Sequence, residues 1–241
     1  MKLLLLNGNT DAAITARLAE AARALSPHEV VPLTARFGAR YIATRAAAAI
    51  AAHAVLDALA EAVGRDNPHN FDAAIIACFG DPGLDAAREM LPIPVLGLAD
   101  ASIAAALRLA PTISLLTGGA AWLPMLREFA WARGHGPNRV RIAAIPPTGD
   151  LILREPKRAL ALLTEAAERE IAAGAGCIVL GGAGLVGLAP RLRLAVPVLD
   201  CLQATLDALP SARPGTAAMQ PAPSTGLSPA LSRLISQPLA G

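Results

Sequence analysis

The chain reads as an α/β protein of two pseudo-symmetric lobes, each a mostly parallel sheet flanked by helices, with the active site in the cleft between them. Short apolar runs of strand length alternate with alanine-rich stretches of helical length over about residues 1–209. The order of elements also repeats. Ile75-Ile76-Ala77-Cys78, a glycine turn, a short helix and Pro94-Val95-Leu96 correspond to Val179-Leu180-Gly181-Gly182, another glycine turn, a short helix and Pro197-Val198-Leu199. From Cys78 to Pro94 is 16 residues and from Gly182 to Pro197 is 15, close enough for one supersecondary unit used twice. Equivalent glycine turns at strand carboxyl ends are where α/β sheets hold small ligands.

Taken in order, strands are predicted near 2–6, 29–33, 72–77, 94–97, 113–117, 139–145, 177–181 and 196–199. Helices fit between them near 11–25, 44–64, 83–91, 100–109, 120–133, 155–173, 184–192 and 201–209. The helix at 155–173 has the clearest signals: Pro156 just inside its start, Gly174 just past its end, and Leu160, Leu163, Ala167 and Ile171 on one face. The first lobe is placed at 1–110, taking in part of the C-terminal segment, and the second at 111–209. Residues 210–241 hold six of the 20 prolines with many serines and alanines, and read as a tail with one short helix near 228–235.

Composition narrows the function. Hydrophobic content is 54%, yet no apolar run reaches the roughly 18 residues of a spanning helix, so a membrane protein is not expected. Leu3-Leu4-Leu5-Leu6 is too short for a signal-peptide core and reads as the first strand. Three well-separated cysteines make neither a disulfide framework nor a metal-ligand spacing, which suits the reducing cytoplasm. Net charge is +2 and aromatics are 3%, too little of either for nucleic-acid binding. The only lysines, Lys2 and Lys157, offer no anchor for a Schiff base. His28, His53, His69 and His135 show no i,i+4 pairing for a metal. The expected partner is a small-molecule substrate, with no cofactor, no metal, no nucleic acid and no membrane; a homo-oligomer is compatible with this.

Cys78 ends a buried strand and runs straight into Phe79-Gly80-Asp81-Pro82-Gly83. Asp81 reads as the cap of the next helix, Pro82 as its first turn, and Gly83 as a point where backbone approaches a ligand. N–H groups at such a helix start would stabilise a thiolate and a bound anion. A small buried cysteine closing a core strand is the plainer alternative.

Leu6-Asn7-Gly8-Asn9-Thr10, Ala77-Cys78-Phe79-Gly80-Asp81-Pro82-Gly83-Leu84, Leu116-Thr117-Gly118-Gly119, Leu180-Gly181-Gly182-Ala183-Gly184-Leu185 and Pro197-Val198-Leu199-Asp200 together resemble the aspartate/glutamate/hydantoin racemase superfamily, closest to its hydantoin and allantoin racemase branch. The resemblance covers about residues 1–209, and the Cys78–Gly83 stretch is its most specific part. It implies a cofactor-independent isomerase in which two cysteines, one per lobe, move a proton on and off a carbon beside a carbonyl. By the same resemblance Cys78 is the acid/base. Asn9, Thr10, Phe79, Gly80, Asp81, Thr117, Gly118, Gly182 and Ala183 surround the substrate, and their donors would stabilise an enolate-like intermediate.

The family's second cysteine position is Gly182 here. Cys177 lies five residues earlier on the same strand, roughly 16 Å away at about 3.3 Å per residue, and is read as structural. Cys201 and Asp200, just after the strand at 196–199, are candidates to replace the missing donor, with a bound water as a rival. Gly182-Ala183-Gly184-Leu185-Val186-Gly187 also spells a dinucleotide fingerprint with Asp200 downstream, but too little sheet follows it for a nucleotide-binding half. Arg45, with Tyr41 nearby, is a candidate carboxylate clamp, though an exposed helix-start arginine explains it equally well. His53 reads as a packed or surface histidine, and Trp122 as core or cleft wall. Alongside the isomerase stand two alternatives: a single-cysteine decarboxylase of malonate-type acids, a chemistry the same superfamily includes, and a catalytically silent binding protein.

Overall fold

The structure, a computed structural model, describes residues 1–145, 155–215 and 220–236. The chain divides into two compact units, Met1–Gly97 with Leu209–Gly241, and Leu98–Ala208.

In the first unit the strands are β1 (Lys2–Asn7), β2 (Glu29–Thr34), β3 (Ala73–Ile76) and β4 (Val95–Gly97), all parallel, in the order β2-β1-β3-β4. Leu3, Leu4, Leu5 and Leu6 are buried because β1 is central and covered on both faces, so every position, not every second one, is apolar. The helices are α1 (Ala12–Leu25), α2 (Arg45–Ala62) and α3 (Leu84–Met90). Asp11 caps α1 by accepting from the N–H groups of Ala13 at 3.0 Å and Ile14 at 3.4 Å. Thr44 caps α2 through the N–H of Ala47 at 3.1 Å.

In the second unit the strands are β5 (Ile113–Gly118), β6 (Val140–Ile145), β7 (Ile178–Gly181) and β8 (Val198–Asp200), again all parallel, in the order β6-β5-β7-β8. Its helices are α4 (Leu98–Leu109), α5 (Trp122–Ala132), α6 (Pro156–Ala172) and α7 (Cys201–Ala208). The face of α6 read from the sequence is the buried one. Leu163 and Ala167 enter a core with Leu116, Ile178 and Leu180, and Leu160 and Ile171 pack against it. Strand for strand, the two sheets have the same order, with β1 matching β5 and β3 matching β7. The sequence repeat is therefore a structural repeat.

Three expectations need correction. The helix expected at 184–192 is instead a pair of 3-10 turns at Ala183–Leu185 and Ala189–Arg191. Its N–H groups reach back three residues, Leu185 to Gly182 and Leu188 to Leu185, because Gly182, Gly184, Gly187 and Pro190 leave too little helix propensity for longer bonds. The division between units falls at Gly97, not at residue 110: α4 follows β4 directly and packs on β7 and α7. The segment after residue 209 is not a separate appendage. Its helix α8 (Pro229–Ile235), capped by Ser228, packs on α2, and Leu231 and Leu234 are buried. Residues 216–219 and 237–241 of the expected tail lie outside the described residues.

Candidate active site

Within the first unit, β1 and β3 are hydrogen-bonded neighbours, so their carboxyl-end loops lie side by side. One carries Gly8, Asn9 and Thr10, the other Cys78 to Gly83. A β-carbon built on Gly8 would stand 3.8 Å from the Cys78 β-carbon and 3.3 Å from the Pro82 ring. Cys78 is 9% exposed and Phe79 is 5% exposed, so the thiol is at the edge of the core, not free in solvent. Burial, with the charge of Asp81 adding to it, pushes the Cys78 thiol up to about 12. The thiolate stabilisation expected from the sequence is not what the local geometry supplies: burial and the Asp81 charge both favour the neutral thiol.

The reason lies in the turn. Asp81 does not cap α3. The N-cap is Gly83, with φ +77°, where a β-carbon would press on the Ala52 carbonyl oxygen at 3.2 Å. Asp81 itself takes φ +48°, and its N–H donates to the Cys78 carbonyl at 2.9 Å. Pro82 precedes the helix and is not part of its first turn. The carboxylate of Asp81 is buried against Gly97, on the neighbouring strand. The Asp81 N–H is thus spent within the turn.

Asn9 is held from behind. Its side-chain oxygen accepts from Asn7 Nδ2 at 2.8 Å and from the Asp11 N–H at 2.9 Å. Asn7, which the sequence reading left without a role, is fully buried and also donates to Thr15 Oγ1 at 3.0 Å. The signal was present: an asparagine closing an all-leucine strand must have its amide satisfied locally. Arg45, the first residue of α2, is exposed, as is Tyr41. His53 is exposed and lies edge-on to Phe37 at 5.1 Å.

In the second unit, Thr117 and Gly181 are register partners, so Thr117 and Gly118 lie beside Gly182 and Ala183. Thr117 is buried, whereas Gly118, Gly182 and Ala183 are partly exposed. In the repeat read from the sequence Gly182 is the counterpart of Cys78, and it follows β7 as Cys78 follows β3. Its φ is +112°, and a β-carbon there would meet nothing within 4 Å. Asp200 has another task. One carboxylate oxygen accepts from the Gly187 N–H at 2.6 Å, and the other from Leu202 at 2.9 Å and Gln203 at 3.3 Å. It therefore caps α7 and ties down the glycine loop, which accounts for the spacing that imitates a dinucleotide fingerprint. Cys201 is fully buried at the start of α7. Cys177 is fully buried too, and burial pushes its thiol up to about 11. Among the described residues, no three acidic, cysteine or histidine side chains converge to hold a metal. No helix among them is long and apolar enough to cross a membrane.

The family model for Asp/Glu/Hydantoin racemase matches residues 3–209. The chain is 34% identical to the hydantoin racemase of Paenarthrobacter aurescens over 213 residues, covering 85% of this chain and 87% of the relative. It is 33% identical to the hydantoin racemase of Rhizobium meliloti, covering 86% of each. The crystal structure of allantoin racemase from Pseudomonas fluorescens superposes with a TM-score of 0.78 at 30% identity, covering 88% of this chain and 90% of that one. The chain belongs to the Asp/Glu/hydantoin racemase family.

Proposed function

We propose that this protein is a cofactor-independent racemase or epimerase that moves a proton at a carbon next to a carbonyl, on an amino-acid derivative or a hydantoin-like cyclic ureide. The observation that carries the proposal is Cys78: a neutral thiol at the carboxyl end of β3, followed by the Phe79 and Gly80 N–H groups and flanked by the Asn9–Thr10 loop. The carbonyl beside the reacting carbon accepts from these donors, which stabilise the enolate that forms when the proton leaves. Cys78 then delivers its proton to the enolate carbon and becomes a thiolate; in the reverse direction that thiolate removes the proton again. Gly182 carries no ionisable group, so proton transfer on the other face of the carbon falls to something other than a thiol, and bound water suits that role. Asp200 is held as an acceptor by three N–H groups and is a poor donor.

The test is a single enantiomer of a 5-substituted hydantoin in deuterium oxide. Loss of optical rotation with deuterium gained at the asymmetric carbon is expected, and neither should occur with Cys78→Ala. No exchange on hydantoins, allantoin or free amino acids would overturn the proposal.

A second reading rests on the same asymmetry. One protonated thiol with glycine at the matching turn is sufficient for decarboxylation of a disubstituted malonate, where a carboxylate leaves as carbon dioxide and Cys78 protonates the enediolate that remains. Carbon dioxide release without exchange of the hydantoin would put this reading first. A rise in melting temperature with ligand, but neither reaction, would make the protein a binding module.

A further inference from the structure

The second unit holds a cavity of about 180 Å³ at the amino ends of its strands, opposite the loops that carry Thr117 and Gly182. Its lining comes from the second half of α5, the connection to β6, the first residues of β6 and the last turn of α6. Most of that surface is apolar, with Trp131 and Val140 prominent, and Trp131 is 62% exposed. Three nitrogen-bearing side chains converge on it: Arg127, His135 and Arg141.

Their partners are unequal. Glu170 Oε2 accepts from Arg141 Nε at 2.9 Å and from the fully buried Ser114 hydroxyl at 3.0 Å, which pins one carboxylate oxygen between β5, β6 and α6. That arrangement engages Arg141 through Nε. Arg127 makes no ion pair with any described residue. His135 Nδ1 is itself buried and has no hydrogen-bond partner. Shut off even from a water-sized molecule, that nitrogen is out of reach of anything in the cavity, and the His135 ring serves as wall. Two guanidinium groups against one carboxylate leave the cavity with a net positive charge.

We propose that this cavity is a second ligand site, taking a small monocarboxylate with a compact apolar body. The carboxylate pairs with Arg127, while the apolar part lies on Trp131 and Val140. A guanidinium matches a carboxylate in a planar fork, which favours this anion over a spherical one. The volume admits a molecule of about the size of a single ring. Because the site is at the far end of the sheet from the Gly182 turn, its occupancy is independent of whether the protein racemises anything.

Phenylacetate is the probe, phenylacetamide its uncharged counterpart, and the indole N–H resonance of Trp131 the readout, with Trp122 as internal control. Saturable displacement of the Trp131 signal by phenylacetate is expected, with at least about tenfold weaker binding by phenylacetamide and by the Arg127→Gln variant. Equal binding of acid and amide, or unchanged affinity in Arg127→Gln, would overturn the proposal by reducing the cavity to an apolar groove. Absence of any saturable displacement would overturn it outright.

Discussion

Asn7 Nδ2 donates to the hydroxyl of Thr15 at 3.0 Å, and both side chains are shut off from solvent. The same nitrogen lies 2.8 Å from Asn9 Oδ1, and Thr15 Oγ1 is 2.8 Å from Thr34 Oγ1. One buried amide thus joins the end of β1, the first turn of α1 and the end of β2 to the loop that presents Asn9 and Thr10.

Asn7→Ala should cost about 1–3 kcal/mol of stability, because it leaves buried oxygens and hydroxyls without their donor. If the loop positions the substrate, KM should rise by more than kcat falls. Thermal melts and steady-state kinetics together check this; a variant as active and as stable as the parent would show that the loop holds itself in place.

Cys78→Ala should abolish proton exchange while costing only about 1 kcal/mol, since a single sulfur is lost at the border of the core. Circular dichroism and urea titration verify the fold, and isotope exchange the activity. Residual exchange at the parent's rate would remove Cys78 from the chemistry.

The thiol pKa of about 12 fixes a sign for the pH dependence. Alkylation of Cys78 should rise with pH through the neutral and mildly alkaline range, by about tenfold per unit while the thiolate is the minor form. Asp81→Asn removes the negative charge that adds to the effect of burial and should bring that rise to lower pH. Burial remains the larger cause, so the return toward an ordinary thiol should be partial. An unchanged alkylation profile in Asp81→Asn would show that the carboxylate does not act on the thiol.

Much of this was legible in residues 1–209, because parallel strands covered on both faces write continuous apolar runs and helices write alanine-rich ones. Leu3–Leu6 and Ile75–Ile76 could be little else. The state of Cys78 was not legible, since it depends on how closely the Asp81 turn and the Gly8 loop close over the sulfur. The turn residues that suggested a helix cap instead build a left-handed step at Asp81 and Gly83, a choice made by packing against Gly97 and Ala52. Asp200 looked available because nothing in the sequence says that the Gly187 N–H will reach it. Arg127, His135, Arg141 and Glu170 come to line one cavity only through the fold of the second unit, and no local pattern announces it.

Gly182→Cys tests the proposed asymmetry. The site has room for a side chain, but φ +112° with ψ 148° is a conformation that side chains resist, so a cost of about 1–3 kcal/mol is expected. A folded variant should racemise faster than the parent, with a second titratable thiol. A folded variant with that second thiol and no gain in exchange would refute the assignment of this turn as the missing donor's place.

Asp57 ties α8 to α2. Burial raises its carboxyl, but hydrogen bonds from Ser228 and Arg36 and the charges of Arg36 and His53 outweigh it, holding the group below its ordinary 3.8. Arg36 also pairs with Glu61 at 2.6 Å, so the cluster shares its cation between two carboxylates. A carboxylate lowered in the folded state contributes stability that is present above about 3.8 and is lost as pH falls through its folded value. Asp57→Asn should therefore lower stability at neutral pH and flatten its decline in acid. Equal acid sensitivity in parent and variant would argue against this anchor.

The return of the segment that carries α8 to the first unit has a consequence for synthesis on the ribosome. Leu98–Ala208 is one unbroken stretch and can close on itself as soon as it has emerged. The first unit cannot, because Leu231 and Leu234, which complete its packing against α2, are translated after all of the second. The unit bearing Cys78 begins first and finishes last. Until then the face of α2 that Leu231 and Leu234 cover stays bare, and nascent chains stalled between residues 208 and 229 are where it should be most exposed.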